Sequence, residues 1–228
     1  MRSPAEKVMK SLLILGAGGF GHMIQETAKL LGYEKAVFLD DAVRDPDVVG
    51  KCCDYESFLG QYDTAVAALG DNNMRLHWTE KLMEAGYDVP AIIHPSAVVS
   101  PSASVGKGSF IMQRAIVNTH TVVEHGVLIN SGAVVDHDSY VERGAHIGLG
   151  SVVKANCRIA SKVKVEAGEV IFSTRRKIDG VEDRNLEDAI YAFGFGNRCS
   201  YVKPFGAGHI NETYAVYMPG QEGDELSY

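Results

Sequence analysis

The chain has 228 residues, 46% hydrophobic and 22% charged, which fits one or two ordinary globular domains and argues against disorder. Its 22 Lys and Arg against 29 Asp and Glu give a net charge of −7, a poor balance for general nucleic-acid or anionic-membrane binding. No apolar run approaches the roughly 18 residues of a membrane span, and residues 1–10 lack the apolar stretch of a secretory signal.

In chain order, residues 11–15 (SLLIL) predict a short buried strand, followed by the turn Gly16-Ala17-Gly18-Gly19-Phe20-Gly21 and a helix from Met23 to Leu31. Residues 36–39 predict a second strand ending at Asp40-Asp41, and residues 64–69 a third, ending at Gly70-Asp71-Asn72-Asn73. A helix over 74–85 follows. This order predicts a small α/β domain with a parallel sheet over residues 8–90. Glycines let backbone N–H groups approach a phosphate, and a helix N-terminus favours an anion. Asp40, roughly 20 residues past the turn, stands where an acid would meet a ribose. The turn therefore predicts nucleotide binding without selecting the nucleotide; His22, just after it, is a further candidate contact.

From residue 93 a different order begins. Every sixth residue from Ile93 to Ile171 is Ile or Val, 14 positions without a failure. Small residues precede many of them by two places (Ala97, Ala103, Ser109, Ala115, Ala133, Ser139, Ala145, Ser151). A helix cannot keep a period of six on one face, because 3.6 does not divide six. A parallel β-helix can: each side of a triangular coil points one β-branched residue inward, and coils stack about 4.8 Å apart. Fourteen sides at three per coil make about four and a half coils, expected over residues 91–175, and stacking several coils is what makes so thin a core stable. Past Arg175 the period is lost. Residues 176–228 predict a linker helix over 185–193 and two strands around residues 205–209.

Histidines gather in the repeats. His137 lies two residues past inward Val135, outside the apolar column, with Asp138 beside it. An imidazole is the side chain best poised to take a proton near neutrality, and a neighbouring carboxylate stabilises its charged form. His125 reads as an exposed turn residue and His94 as structural. His120 and His125, five apart, resemble part of the zinc site of γ-class carbonic anhydrases, but no His lies between His77 and His94 to supply a third ligand, so no metal is expected. The cysteines, Cys52, Cys53, Cys157 and Cys199, form no CxxC pair and read as reduced thiols of a cytoplasmic protein.

The Gly-Ala-Gly-Gly-Phe-Gly-His turn, the Leu-Asp-Asp strand end, the Gly70-Asp71-Asn72-x-x-Arg75 segment and the hexapeptide repeats together resemble the sugar O-/N-acyltransferases related to sialic acid O-acetyltransferase and UDP-4-amino-sugar N-acetyltransferases. The resemblance covers residues 11–172. It implies an N-terminal Rossmann-like α/β domain followed by a left-handed parallel β-helix, an acetyl-CoA co-substrate, a nucleotide-sugar (most often UDP-linked) substrate and a homotrimer with acetyl-CoA between neighbouring coils. The family's stretch Asn-x(6)-His-[Asp/Glu]-x(7)-His falls on Asn130, His137, Asp138 and His146. By resemblance His137 is the general base, Asp138 raises its basicity, Asn130 completes the catalytic set, and His146, Ala155 and Ala167 contact acetyl-CoA. Gly16, Gly18, Gly19, Phe20, Gly21, Asp40, Asp41, Gly70 and Asn72 then fall to the nucleotide-sugar.

The sequence departs from that pattern after the last coil. Phe172-Ser173-Thr174-Arg175-Arg176-Lys177 stands where the family carries Gly-x-Pro-Ala, and its cations are candidates for CoA phosphates. Residues 201–214 resemble the opening strand and nucleotide loop of aminoglycoside-phosphotransferase-like kinases. No catalytic loop or metal-binding Asp follows before Tyr228, so the chain alone is not expected to transfer phosphate. Two other readings follow: a nucleotide-sugar-binding or regulatory module with a silent coil, and the front half of an acetyltransferase–kinase fusion.

Overall fold

A computed structural model describes residues 10–172 and the strands Tyr201–Pro204 and Tyr214–Tyr217. Residues up to Val170 belong to one compact unit and those from Ile171 onward to a second.

The first unit opens with β1 (Ser11–Leu15), α1 (Gly19–Leu30), β2 (Lys35–Leu39), β3 (Val48–Gly50), β4 (Ala65–Ala67) and α2 (Asn72–Glu84). The strands are parallel in the order β3-β2-β1-β4. Alternation along each strand divides the apolar residues between two faces. Leu12, Ile14, Phe38 and Val66 meet Ile24 and Ala28 of α1 on one side, and Leu13, Leu15, Leu39 and Ala67 share a core with Leu82 of α2 on the other. The predicted strands and helices are present. β3 and a 3-10 turn over Cys52–Phe58 are additions, short pieces without the apolar run that marks the other strands. Because β1 pairs with β2 on one side and β4 on the other, the strand order reverses there, and the carboxyl ends of β1 and β4 face the crevice where open α/β sheets bind ligands.

Fourteen two-residue strands follow, from Ile92–Ile93 to Val170–Ile171, in three parallel sheets of four, five and five. Residues pair with those 18 positions away, Val117 with Val135 and Val135 with Val153, as three sides of six require. The inward residues from Ile111 to Val165 are at most 4% exposed, each worth about 1.5–3 kcal/mol of apolar burial. The small residues before them fill the corners. Buried hydroxyls there are satisfied along the coil: Ser109 donates to the Glu124 carbonyl (2.7 Å) and Thr121 to that of Asp136 (2.8 Å).

The corners have a period of their own. Every sixth residue from Gly108 to Gly168 has a positive φ, between 55° and 72°, the left-handed turn that swings one side into the next. Sorted by corner, these positions define three edges of the prism. Edge I carries Arg114, Gly132, Gly150 and Gly168; edge II carries His120, Asp138 and Asn156; edge III carries Gly108, Gly126, Gly144 and Lys162. Helix α2 lies along edge III. A Cβ on Gly108 would stand 2.5 Å from Thr79 Cγ2, and one on Gly144 3.1 Å from Leu76 Cβ, so glycine is what lets the helix approach. The face between edges III and I packs Ile92, Phe110 and Leu128 into the core shared with α1. The face between edges I and II turns Val98, Ile116, Val134, Val152 and Val170 outward, with Val98 60% exposed and Val170 42%.

In the second unit, Tyr201–Pro204 and Tyr214–Tyr217 pair antiparallel, as two strands were expected there. The expected helix over 185–193, the loop within 205–213 and the basic run Arg175-Arg176-Lys177 lie outside the described residues.

Candidate active site

The glycine turn separates into two kinds of glycine. Gly16, with φ +102°, leaves no room for a Cβ beside the Ala68 carbonyl, and a Cβ on Gly21 would run into the Gly16 carbonyl. These two serve the tight turn and the packing of α1 on β1. Gly18 and Gly19 have no neighbouring atom where a Cβ would stand, so what they leave bare is backbone facing the crevice at the start of α1. Phe20 packs edge-to-face on Phe110 of the coil, at 5.1 Å. Asp40 Oδ2 accepts the Ala17 N–H at 2.8 Å while Oδ1 accepts those of Ala42 and Val43. These amide donors hold the carboxyl below its usual range against the opposing effect of partial burial. Asp41 accepts from the Cys52 amide. His22 stacks edge-on against Phe38 and stands 3.7 Å from Asp45.

On edge II, residues 136–138 form the turn after strand Val134–Val135. His137 Nδ1 meets Asp138 Oδ2 at 2.7 Å, and the other carboxylate oxygen lies 3.3 Å from His120 Nδ1. The hydrogen bond to Asp138 raises the His137 pKa above its ordinary value. Asp136 Oδ1 receives the His137 amide (2.8 Å) and Asn118 Nδ2 (2.9 Å), which fixes the backbone under the ring. The His137 side chain is 50% exposed, open to a reactant, and its turn is followed one coil on by half-buried Ala155.

Asn130 and His146 meet elsewhere. Asn130 Oδ1 accepts the Ser131 amide at 2.8 Å, so its Nδ2 donates to His146 Nε2, 3.2 Å away. Nε2 is then an acceptor, and the ring is neutral with its proton on Nδ1. Burial, then the charges of Arg75 and Lys164, push His146 down to about 4. Its Nδ1 finds no partner among the described residues. Arg75, fully buried at the head of α2, gives its N–H groups to the carbonyls of Leu69, Gly70, Gly126, Gly144 and Ala145 and to Asn72 Oδ1. Asn72 Nδ2 in turn reaches the Lys162 carbonyl, 2.8 Å away. Gly70 and Asn72 thus knit the crevice loop to the coil beside His146. Ala167 lies exposed on edge I, two coils beyond Ser131.

One chain therefore brings Asn130 to His146 and His137 to Asp138, as two separate pairs. His146 lies on the face between edges III and I, with Asn130 at its edge I end, and one side of the coil separates them from His137 and Asp138 on edge II. Sequence reasoning gave His120 and Arg75 no role in the site. His120 was findable, because 138 − 120 is 18, one full coil. His125 is a turn residue, but a half-buried one, meeting Glu80 of α2 at 3.1 Å. His94 Nδ1 bonds the Ser96 amide and hydroxyl. Burial pushes Cys52 up to about 12 and Cys157 up to about 11, so neither is a thiolate nucleophile. Among the described residues no group of three or more His, Cys, Asp or Glu is arranged to hold a metal, and no helix is long and apolar enough to cross a membrane.

Comparison with known proteins agrees with this architecture. The PglD N-terminal domain family matches residues 11–82. The acetyltransferase domain of PglB from Neisseria gonorrhoeae FA1090, solved with acetyl coenzyme A, is 34% identical, covering 72% of this chain and 82% of that one, with a TM-score of 0.68. PerB from Caulobacter crescentus, solved with CoA and GDP-perosamine, is 28% identical over 72% of this chain and 89% of its own, with a TM-score of 0.65. The UDP-N-acetylbacillosamine N-acetyltransferase of Bacillus subtilis (strain 168) is 32% identical over 117 residues, 46% of this chain; the match spans 52% of that relative, about half its length. The chain belongs to the sugar acetyltransferase family that includes the PglB acetyltransferase domain.

Proposed function

We propose that the protein transfers an acetyl group from acetyl-CoA to an amino group of a nucleotide-linked sugar, with His137 as general base. The observation that carries this reading is the His137–Asp138 pair, an open imidazole held by a carboxylate within the Asn130…His146 stretch. The amine lone pair attacks the thioester carbonyl, forming the C–N bond. His137 takes the proton that nitrogen sheds, and Asp138 stabilises the imidazolium. Collapse of the tetrahedral intermediate breaks the C–S bond, and the proton passes to the sulfur as CoA leaves. Relatives named as N-acetyltransferases favour an amine acceptor over a hydroxyl. Gly18, Gly19 and the start of α1 would hold the nucleotide phosphates, and a UDP-linked sugar is the first candidate.

The coil is read as left-handed from its likeness to these acetyltransferases, and the active form as a homotrimer. The apolar row Val98, Ile116, Val134, Val152 and Val170 covers the face bounded by edges I and II. Three copies packed by this face would set His137 of one chain against Asn130 and His146 of the next, with acetyl-CoA between them. The kinase-like resemblance at 201–214 rests on those residues alone and adds no step.

The test is release of CoA thiol with acetyl-CoA and UDP- or GDP-linked amino sugars, alongside sedimentation velocity. Release only with an amino sugar, from a trimer, is expected. Binding of both compounds by a trimer without thiol release would make this a binding module instead.

A further inference from the structure

At the left-handed turn positions, edges I and III use mostly glycine, whereas edge II uses His120, Asp138 and Asn156. Left-handed backbone disfavours side chains by roughly 1–2 kcal/mol per residue, so a row of them calls for a reason. At His120 the reason is in the contacts. Its φ is +57°, its amide is held by Ser102 Oγ at 3.2 Å, and Nδ1 stands 3.3 Å from Asp138 Oδ1. The opposite oxygen of that carboxylate holds His137 Nδ1. Two imidazoles thus bracket one carboxylate, one coil apart. Around them the charged groups are Asp136 beside His137 and Asp138 between the rings.

We propose that His120 is a positioning residue for His137: it fixes the Asp138 carboxylate from the far side, so that the base works as one member of a His120–Asp138–His137 triad. This rests on His137 being the base. A carboxylate held by two donors keeps its plane toward both. It also divides its negative charge between them, so His120 tempers the support that Asp138 gives to the His137 imidazolium.

His120→Gly removes the ring and suits the left-handed turn, so the coil keeps its fold; His120→Gln keeps an N–H donor that does not titrate. An exposed pair of this kind is worth a modest factor. For His120→Gly we expect a fall in kcat of about two- to fivefold, an unchanged KM for acetyl-CoA, and partial recovery of kcat in His120→Gln. By NMR, the His137 ring should titrate at higher pH in His120→Gly, because Asp138 then serves His137 alone. The acid limb of the rate profile should move the same way. Unchanged His137 titration in His120→Gly overturns the proposal, whatever happens to kcat. The NMR readout needs no turnover, so it stands apart from the acetyl-transfer reading, whose own failure would appear as full activity in His137→Ala.

Discussion

Edges II and III of the coil are built from the same six-residue block, and each sets a histidine beside a carboxylate, yet they differ in what covers them. On edge III, His125 meets Glu80 of α2, and Gly108, Gly126 and Gly144 lie under Thr79 and Leu76. On edge II, His137 and Asp138 are half exposed, and the turn positions carry side chains instead of glycine. On edge III the glycines at the left-handed turns leave room for α2, whereas Gly150 and Gly168 on edge I have nothing within 4 Å of where a Cβ would stand. On edge II, His120, Asp138 and Asn156 stand at those positions, and the His120 and Asp138 side chains are 65% and 48% exposed. The two histidines look alike in sequence, and their neighbours tell them apart.

The sharpest attempt to break this comparison is to exchange the histidines' fates. General-base catalysis contributes about 10²- to 10⁴-fold, so His137→Ala should lower kcat by that factor while acetyl-CoA affinity and the melting temperature stay near those of the parent. His125→Ala should remain within about twofold of full activity, as expected of a partly exposed ion pair. The reverse outcome would move the base to edge III.

The next test concerns the glycines. Gly108→Val places a Cβ 2.5 Å from Thr79 Cγ2 at a φ of +62°. Overpacking of about 1–3 kcal/mol then adds to a left-handed backbone penalty of about 1–2 kcal/mol. Gly150→Ala, with nothing within 4 Å of its Cβ, carries only the backbone part. Chemical denaturation should rank them in that order. Equal losses would mean that α2 does not determine the glycines of edge III.

The third test is Asp138→Asn. Asp138 raises the His137 pKa by hydrogen bonding to the ring. The base is active when unprotonated, so losing the carboxylate lets the ring shed its proton at lower pH, and the acid limb of kcat/KM should shift downward. The fall in plateau kcat should be smaller than that of His137→Ala, because the imidazole remains and loses only its electrostatic support. An upward shift would show that Asp138 does not stabilise the imidazolium.

Much of the fold was legible because its signals are repetitive. Ile or Val at every sixth position fixes both the inward column and, through 18-residue pairing, the three faces. The glycine turn and strands β1, β2 and β4 announced themselves by apolar runs ending in Gly or Asp. β3 did not, because three residues carry too little pattern. The His137–Asp138 pair was visible as neighbours in sequence. Asn130 and His146 came from resemblance, and their contact depends on side-chain reach across adjacent coils. Arg75 was hidden for another reason. Nothing in a helix sequence says that an arginine will be 0% exposed with carbonyls instead of a carboxylate around it; that depends on how α2 meets the coil.

The 18-residue pairing has one more consequence. It makes each edge a graduated rule, with marks about 4.8 Å apart. Thr119, His137 and Ala155 occupy successive marks on one edge, and Ser131, Leu149 and Ala167 on another. A long, thin molecule lying along the prism would be measured in whole marks. Deleting a block of 18 residues would shorten the rule by one mark and keep every edge in line. Deleting a single residue would send each later side chain to a different facing, so along this stretch length can change only in steps.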